Sequence, residues 1–584
     1  GDPDELDEAV AALRLAAAAT PADHPRRAAR LASLGAAPQL LAGQAGDPTP
    51  LSEARTVFAI AAATATAPAG IRVLAARGSG ATAETAADAL RAYEDAVALL
   101  PMVSPRTLAR GDREYGLGGI AGLPAAAAAA ALDAGQPQRA VELLEAARGI
   151  LLAEATGPHG DLGAVHAAAP ELAAEFVRLR DALEAAELAG RRAAGAAAVA
   201  GGEPVEETLA DADAAARHAD LRRRGLAARW DPLVERIRAV DGLGGFLAPP
   251  PFAELAAVAD AGPIVLVSVT DRRSDALVLG PEPSVRVVAL PALDRAGLLD
   301  RIERISDDPA DVLTWMWDRI AGPVLDACAP GGRLWWCPVG ELAFLPLHAA
   351  GPADGGPGVL DRVVSSYTPT IRALRHARRA RPAAGTGVLI VAMPHTPDAP
   401  DLPGAAAEAA RVAELVPGAR ILTGPAATAA AVIAALPDHP VVHLACHGRA
   451  DHADPARATL LLHDHAGEPL TVAVVSGLRL DADLAFLSAC ETTRSSDRLA
   501  DEALHITGAF LLAGYRHVVG TLWPINDRIA ARLTDAVYSD LTDSGRAAPR
   551  TERTAHAVHE AVLALRATYP DAPQHWATVI HAGG

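Results

Sequence analysis

A histidine and a cysteine follow two short apolar runs in the second half of this 584-residue chain. Residues 441–445 lead into His447, and residues 484–488 lead into Cys490. If the two runs are neighbouring strands of a parallel sheet, both side chains lie at its carboxyl edge, where ligands bind in such sheets. A thiol is a strong nucleophile as the thiolate, and a nearby imidazole is the usual group that takes its proton. The pair therefore indicates a site for nucleophilic catalysis.

Gly448, directly after the histidine, extends this pattern. A residue without Cβ allows its backbone N–H to turn toward a substrate. Together with the backbone N–H of Cys490, it would hold the negative charge that develops on a carbonyl oxygen under attack. The sequence thus predicts an oxyanion site made of the N–H groups of Gly448 and Cys490.

Other histidine and cysteine side chains have plainer interpretations. His443 lies on the same apolar run as His447 and is expected to be a buried histidine satisfied by hydrogen bonding. Cys446, Cys328 and Cys337 are expected to be packing residues.

Acidic residues after the cysteine leave two interpretations open. They border a specificity pocket that selects Arg or Lys by charge pairing, or they belong to a solvated loop in which one of them caps the next helix. No role is assigned to any of these residues, which are Glu491, Asp497, Asp501 and Glu502.

Composition narrows the range of partners and cofactors. The chain has 52 Lys+Arg against 71 Asp+Glu, so nucleic acid and anionic membranes are repelled on average and are not expected partners. It contains no lysine, which excludes a Walker-type phosphate loop and Schiff-base chemistry on an internal lysine. No cofactor and no metal are expected, because the glycine pattern at 116–121 follows no strand and the pair His463 and His465 lacks a third ligand.

The chain also carries few signs of export or membrane insertion. No run of 18 strongly apolar residues occurs, which argues against a membrane span. The four cysteines fit a reducing compartment. The first residues, beginning with Gly1, show no basic segment followed by an apolar core, so no signal peptide is visible. The cytoplasm is the expected location.

Two regions with different apolar patterns must position the candidate site. Residues 1–245 have helical spacing throughout, and the helix–turn–helix pattern at 125–147 is typical of tetratricopeptide repeats. Residues 246–584 alternate apolar strands with helices, which predicts an α/β domain with a mainly parallel sheet. The predicted strands are 263–269, 276–279, 285–290, 388–391, 441–445 and 485–488, and the predicted helices include 405–415 and 428–436, the latter capped by Thr428.

Several segments together resemble the CHAT family of caspase-like cysteine peptidases, which are often joined to tetratricopeptide repeats. The segments around the histidine and the cysteine, 446–451 and 487–492, carry the resemblance most directly, and it extends through most of 246–584. Further similar segments are 336–342, 345–347, 367–370, 402–405 with Glu408, 508–511, 520–524 and 576–581.

The resemblance implies a caspase-like fold and a role for each candidate residue. His447 would be the general base and Cys490 the nucleophile, which forms a thioester that water releases. The N–H groups of Gly448 and Cys490 would bind the oxyanion. Residues 488–491 depart from the Gln-Ala-Cys pattern of animal caspases, so a specificity for aspartate is not carried over.

The leading hypothesis is a cysteine endopeptidase that hydrolyses a protein substrate and is gated or targeted by its helical repeats. The expected partners are that protein substrate and a protein activator bound by the repeats. One alternative is a catalytically silent caspase-like scaffold or adaptor that binds protein partners through the repeats. Another is a hydrolase or transferase acting on a small thioester or amide, because the same pair of residues would serve it.

Overall fold

The structure is a computed structural model, and it describes residues 3–22, 24–45, 49–150, 162–199, 206–328, 331–379, 387–451, 457–488 and 506–584. The chain forms two compact units, Gly1–Arg148 and Gly149–Gly584. The described residues before Ile264 form helices and no strand, and a mainly parallel sheet follows. The predicted two-part fold is therefore confirmed, while the boundary at 245/246 and the tetratricopeptide character of the helices stay predictions.

The first unit consists of short helices that pack on their neighbours in the sequence. Their small residues allow this close approach: the ring of Phe58 lies between two glycines, and a Cβ on Gly35 or Gly78 would come within 2.8 Å or 2.6 Å of it. The predicted turn at Gly135 is present, with a left-handed φ of +72°. The helices are α1 (Pro3–Ala18), α2 (Pro25–Ala45), α3 (Thr49–Ala63), α4 (Ala69–Ala81), α5 (Ala86–Ala98), α6 (Leu100–Val103), α7 (Arg110–Gly118), α8 (Leu123–Asp133) and α9 (Pro137–Ala147).

Three helices that precede the sheet in the second unit pack around an aromatic core. Phe176 lies 4.7 Å from Trp230 and 5.2 Å from Phe246, measured between ring centroids. The helices are α10 (Pro170–Val199), α11 (Glu206–Ala227) and α12 (Trp230–Arg238).

An eleven-stranded sheet organises the rest of the second unit. The strands are β1 (Ile264–Val269), β2 (Ser274–Leu279), β3 (Val285–Ala289), β4 (Arg333–Pro338), β5 (Val364–Tyr367), β6 (Val388–Ala392), β7 (Arg420–Thr423), β8 (Val441–Ala445), β9 (His447–Arg449), β10 (Thr459–Leu461), β11 (Leu470–Thr471), β12 (Ala482–Ser488), β13 (Tyr515–Thr521) and β14 (Val579–Gly583). The large sheet has the order β3-β2-β1-β4-β5-β14-β13-β12-β8-β6-β7, in which only the pairs β1–β2, β2–β3 and β13–β14 are antiparallel. A second sheet of the described residues has the order β11-β10-β9.

Helices cover this sheet. The predicted cap is present, since the Thr428 hydroxyl accepts a hydrogen bond from the backbone N–H of Ala431 at 3.2 Å. The helices are α13 (Phe252–Ala256), α14 (Arg295–Arg304), α15 (Pro309–Met316), α16 (Gly322–Ala327), α17 (Val359–Arg362), α18 (Ile371–Arg378), α19 (Pro403–Leu415), α20 (Ala429–Ala435), α21 (Val472–Val475), α22 (Ile506–Ala513), α23 (Asp527–Leu541) and α24 (Thr554–Thr568). Taken singly, none of the helices in the described ranges has both the length and the apolar character that a membrane span requires.

A buried polar network crosses the middle of the sheet. His517 Nδ1 lies 3.1 Å from His581 Nε2, and His581 Nδ1 lies 2.9 Å from the hydroxyl of Ser366. The Arg333 guanidinium donates to the same hydroxyl at 2.6 Å. Burial, with Arg333 and Arg516 nearby, lowers the pKa of His517 to about 3. These imidazoles are therefore neutral in the folded protein at neutral pH.

A first prediction concerns the glycine contact in α4. Gly78→Ala would place a methyl group against the Phe58 ring, which Gly35 confines from the other side. Overpacking of this kind costs about 1–3 kcal/mol, and we expect that loss in the free energy of unfolding, measured by urea denaturation. Gly70→Ala is the matched control on the same helix: nothing lies within 4 Å of its added Cβ, so it should be neutral or stabilising. Equal effects of the two substitutions would contradict this packing.

A second prediction concerns acid stability. The unfolded chain binds a proton at each histidine below pH ~6.5, whereas folded His517 binds one only near its pKa of about 3. Stability should therefore fall as the pH drops from about 6.5 toward 3, by up to ~1.4 kcal/mol per pH unit for each such histidine. His517→Gln should reduce the slope by that amount in urea denaturation series at pH 6, 5 and 4. An unchanged slope would show that His517 is not a buried neutral base.

Candidate active site

The register of three parallel strands places their ends at one edge of the sheet. Ala445, the last residue of β8, pairs with Ala392 at the end of β6 and with Ser488 at the end of β12. Neighbouring strands of a sheet lie ~4.8 Å apart. His447 follows β8 by two residues, and in the sequence Cys490 follows Ser488 by two. Cys490 itself lies outside the described residues, as do the four acidic residues that follow it.

His447 lies just beyond the large sheet, where the chain turns away from it. It begins β9, which pairs with β10 so that His447 faces Leu461 and Gly448 faces Leu460. Both His447 and Gly448 are half-buried, whereas the preceding Cys446 is completely buried. The structure thus brings His447 and Gly448 together at the predicted edge, and Cys446 is a packing residue as expected.

One hydrogen bond determines the tautomer of the His447 ring. Its Nε2 lies 2.8 Å from the backbone carbonyl oxygen of Pro400. A carbonyl oxygen only accepts, so Nε2 carries the hydrogen and donates it. In the neutral imidazole, Nδ1 then has a free lone pair. The ring is therefore held in the tautomer that can take a proton through Nδ1.

The loop between β6 and α19, residues 393–402, supplies this carbonyl. The backbone N–H of Leu402 donates to the Pro394 carbonyl at 2.9 Å, which closes the loop at its neck. Across the loop, His395 Nδ1 lies 2.8 Å from Asp401 Oδ1, and both side chains are exposed. This loop was not predicted to belong to the site, although it follows a strand that ends at the same edge, where ligands bind in parallel sheets.

His443 is buried as predicted, but its polar neighbour is an acidic side chain. The ring is fully buried on β8, and Nε2 lies 3.3 Å from Oε2 of Glu408 on α19. Neither ring nitrogen has a well-aligned hydrogen-bond partner within the described ranges. The prediction of full hydrogen-bond satisfaction is therefore wrong, and the polar contact of the ring is the one with the Glu408 carboxyl group.

His463 and His465, which the sequence offered as two possible metal ligands, lie in a turn that is held by backbone contacts. Asp464, between His463 and His465, accepts a hydrogen bond from the backbone N–H of Ala429 at the start of α20, at 2.9 Å. His465 Nδ1 lies 2.8 Å from the Leu462 carbonyl oxygen. In the described part of the chain, no group of three His, Cys, Asp or Glu residues is placed to hold a metal ion.

The two other cysteines predicted to be packing residues differ in their exposure. Cys337 is completely buried on β4. Cys328 is half-buried, and burial raises the pKa of its thiol. Neither thiol lies on the strands that end at the edge with His447.

Comparisons with known proteins give one family match. Residues 310–584 match the model of the CHAT domain family. No curated protein matches the chain significantly.

Among solved structures, the chain is similar to the Arg-specific cysteine proteinase gingipain R, with a TM-score of 0.30 and 12% identity over 51% of this chain and 68% of that one. It is also similar to separase in the Saccharomyces cerevisiae separase–securin complex, with a TM-score of 0.40 and 8% identity over 97% of this chain and 54% of that one. A second structure of the same complex gives a TM-score of 0.41, 8% identity and coverages of 95% and 52%. The chain thus spans about half the length of each separase chain.

Proposed function

We propose that this chain is a cysteine endopeptidase in which His447 takes the proton of the Cys490 thiol and the thiolate attacks a peptide carbonyl. The match of residues 310–584 to the CHAT domain family supports a cysteine-protease-like function. The observation that carries the finer proposal is the hydrogen bond from His447 Nε2 to Pro400, which leaves Nδ1 available as a base at the carboxyl edge of the sheet. A general base needs both features.

Chain connectivity supports a meeting of the two side chains. Cys490 is two residues from Ser488, and two residues span at most about 7 Å. Ser488 pairs with Ala445, which is itself two residues from His447. This connectivity is compatible with the contact between nucleophile and base that covalent catalysis requires, and in this way it supports the proposal.

The proposed reaction proceeds in two stages. In the first, the thiol proton passes to His447 Nδ1, the sulfur bonds to the carbonyl carbon, and the imidazolium returns the proton to the amine as the C–N bond breaks. In the second, His447 takes a proton from water, the hydroxide attacks the thioester carbon, and the C–S bond breaks to release a carboxylic acid. The departing thiolate takes the proton back from His447, which restores the starting thiol and neutral imidazole. In both stages the backbone N–H groups of Gly448 and Cys490 hold the oxyanion.

The helical region of residues 1–245 is proposed to bind the protein substrate and a protein activator. Stacked helices offer an extended surface of the kind that captures protein segments. The net charge of −19 makes nucleic acid and anionic membranes unfavourable partners, and no cofactor enters the proposed chemistry.

A third prediction tests the proposed activity. Protein fragments are profiled by their new amino termini in cells that express wild type, Cys490→Ala, His447→Ala or Cys328→Ala. We expect the same set of fragments from wild type and from Cys328→Ala. The latter is the matched control, because it removes a half-buried thiol away from the candidate site. These fragments should be absent with Cys490→Ala and reduced at least about 100-fold with His447→Ala, the usual effect of removing a general base. Equal fragments from wild type and Cys490→Ala would refute the activity.

A further inference from the structure

A buried polar cluster lies against β8 and β12, close to the candidate site but outside its chemistry. It consists of Glu408 on α19, His443 on β8, Phe486 on β12, and Thr534 and Tyr538 on α23, and we call it the Glu408 cluster. His443 and Phe486 are direct partners in the register of the two strands. The cluster therefore joins two helices to the two strands that lead to His447 and Cys490.

The contacts within the Glu408 cluster leave its carboxylate little freedom. Glu408 is 4% exposed, and its Oε2 lies 3.3 Å from His443 Nε2. The Thr534 hydroxyl donates to the same oxygen at 3.0 Å. A buried carboxylate is costly unless it is paired, so both partners hold Glu408 in this position.

Aromatic rings hold the imidazole of the pair. The His443 ring stacks on Phe486 with centroids 5.1 Å apart and meets Tyr538 edge-on at 5.6 Å. The Tyr538 hydroxyl has no hydrogen-bond partner among the described residues, and burial together with the Glu408 charge raises the pKa of Tyr538. The ring of His443 can therefore not turn away from Glu408 without breaking aromatic contacts on two sides.

A chain of contacts leads from this pair back to the candidate base. Helix α19 carries Glu408 and directly follows the 393–402 loop, whose Pro400 carbonyl accepts the His447 hydrogen bond. The start of α19 is fixed as well, because the N–H of Gly404 donates to Asp527 Oδ2 at 3.1 Å. A Cβ on Gly404 would come within 2.7 Å of the Asp527 Cβ, so the starts of α19 and α23 are in close contact.

These contacts link two residues that are only four positions apart, His443 and His447. The link runs from His443 to Glu408, back along α19 and its preceding loop to Pro400, and from the Pro400 carbonyl to His447. Displacement of α19 relative to β8 would therefore move the Pro400 carbonyl relative to the His447 ring.

We propose that Glu408 and His443 are positioning residues for His447. Their buried pair holds α19 against β8, which keeps the Pro400 carbonyl where it selects the Nε2–H tautomer of His447. The inference rests on the proposed function, because only a base that acts through Nδ1 requires this tautomer. Second-layer contacts are known to fix the ring orientation and tautomer of functional histidines in this way.

A fourth prediction uses the tautomer itself as the readout, so that it needs no substrate. The full chain carrying Cys490→Ala is labelled with ¹⁵N-histidine, and the ring nitrogens of His447 are assigned by their loss in His447→Ala. At pH 8 we expect the Nε2–H form to dominate. Glu408→Gln should lower the ratio of the Nε2–H to the Nδ1–H form by at least about threefold, the scale set by one net hydrogen bond.

Glu414→Gln is the matched control, since it makes the same change on the solvent side of the same helix, where Glu414 pairs with Arg411. It should leave the ratio unchanged. Thr534→Val, which removes one hydrogen bond at nearly constant volume, should shift the ratio in the same direction by less, and it serves if Glu408→Gln does not fold. Far-UV circular dichroism and thermal unfolding identify the folded variants.

The outcomes separate this inference from the proposed function. A folded Glu408→Gln or Thr534→Val variant of the Cys490→Ala chain that keeps the parent tautomer ratio overturns the positioning role, whatever the peptidase activity of the wild type. The expected shift, found together with equal fragments from wild type and Cys490→Ala in cells, supports the positioning role and refutes the proposed function. An equal shift in Glu414→Gln also overturns the inference, because the effect would then not come from the buried pair.

Discussion

Strand β8 lies between β6 and β12, and the register of these three parallel strands is the constraint on which the candidate site depends. Successive side chains of a strand point to opposite faces, so a slip of one residue would turn His443 away from Glu408 and offset the strand ends. In the observed register Ala392, Ala445 and Ser488 are aligned. The 393–402 loop, His447 and the segment that leads to Cys490 therefore all leave the sheet at the same edge.

Polar groups inside this apolar sheet occur where elements must be held in one arrangement. The Glu408 cluster fixes α19 and α23 on β8 and β12, and the His517–His581 network links β13 and β14 with Ser366 on β5. Burial of a polar group costs free energy when it has no partner, and in both places the buried polar groups reduce this cost by contacting one another. The two differ in position. The Glu408 cluster contacts the strands that lead to His447 and Cys490, whereas His517 lies in the amino-terminal half of β13, away from the carboxyl edge. Only the Glu408 cluster is therefore assigned to the positioning of the site.

The sequence predicted the strands of the site well, for a physical reason. A central parallel strand is buried on both faces, so it appears as a continuous apolar run, and the predicted runs 388–391, 441–445 and 485–488 correspond to β6, β8 and β12. The short strands β9, β10 and β11 were not predicted, because two or three residues are too few to show a period. Pro400 was not predicted either, since every residue offers a backbone carbonyl and its use depends on the path of the loop. Glu408 was noted only through a family resemblance, because its burial depends on how α19 packs over the sheet.

The central claim, that the Cys490 thiol and the His447 imidazole meet, is tested most directly by the pH dependence of Cys490 alkylation. A Cys328→Ala background removes the half-buried thiol, and Cys337 and Cys446 are buried, so the iodoacetamide reaction of the native protein reports Cys490. An imidazolium beside the thiolate would bring the midpoint of the rate profile well below the ordinary cysteine pKa of about 8.5. We expect this low midpoint in the presence of His447 and a midpoint near 8.5 in His447→Ala. The same midpoint in both proteins would contradict the account.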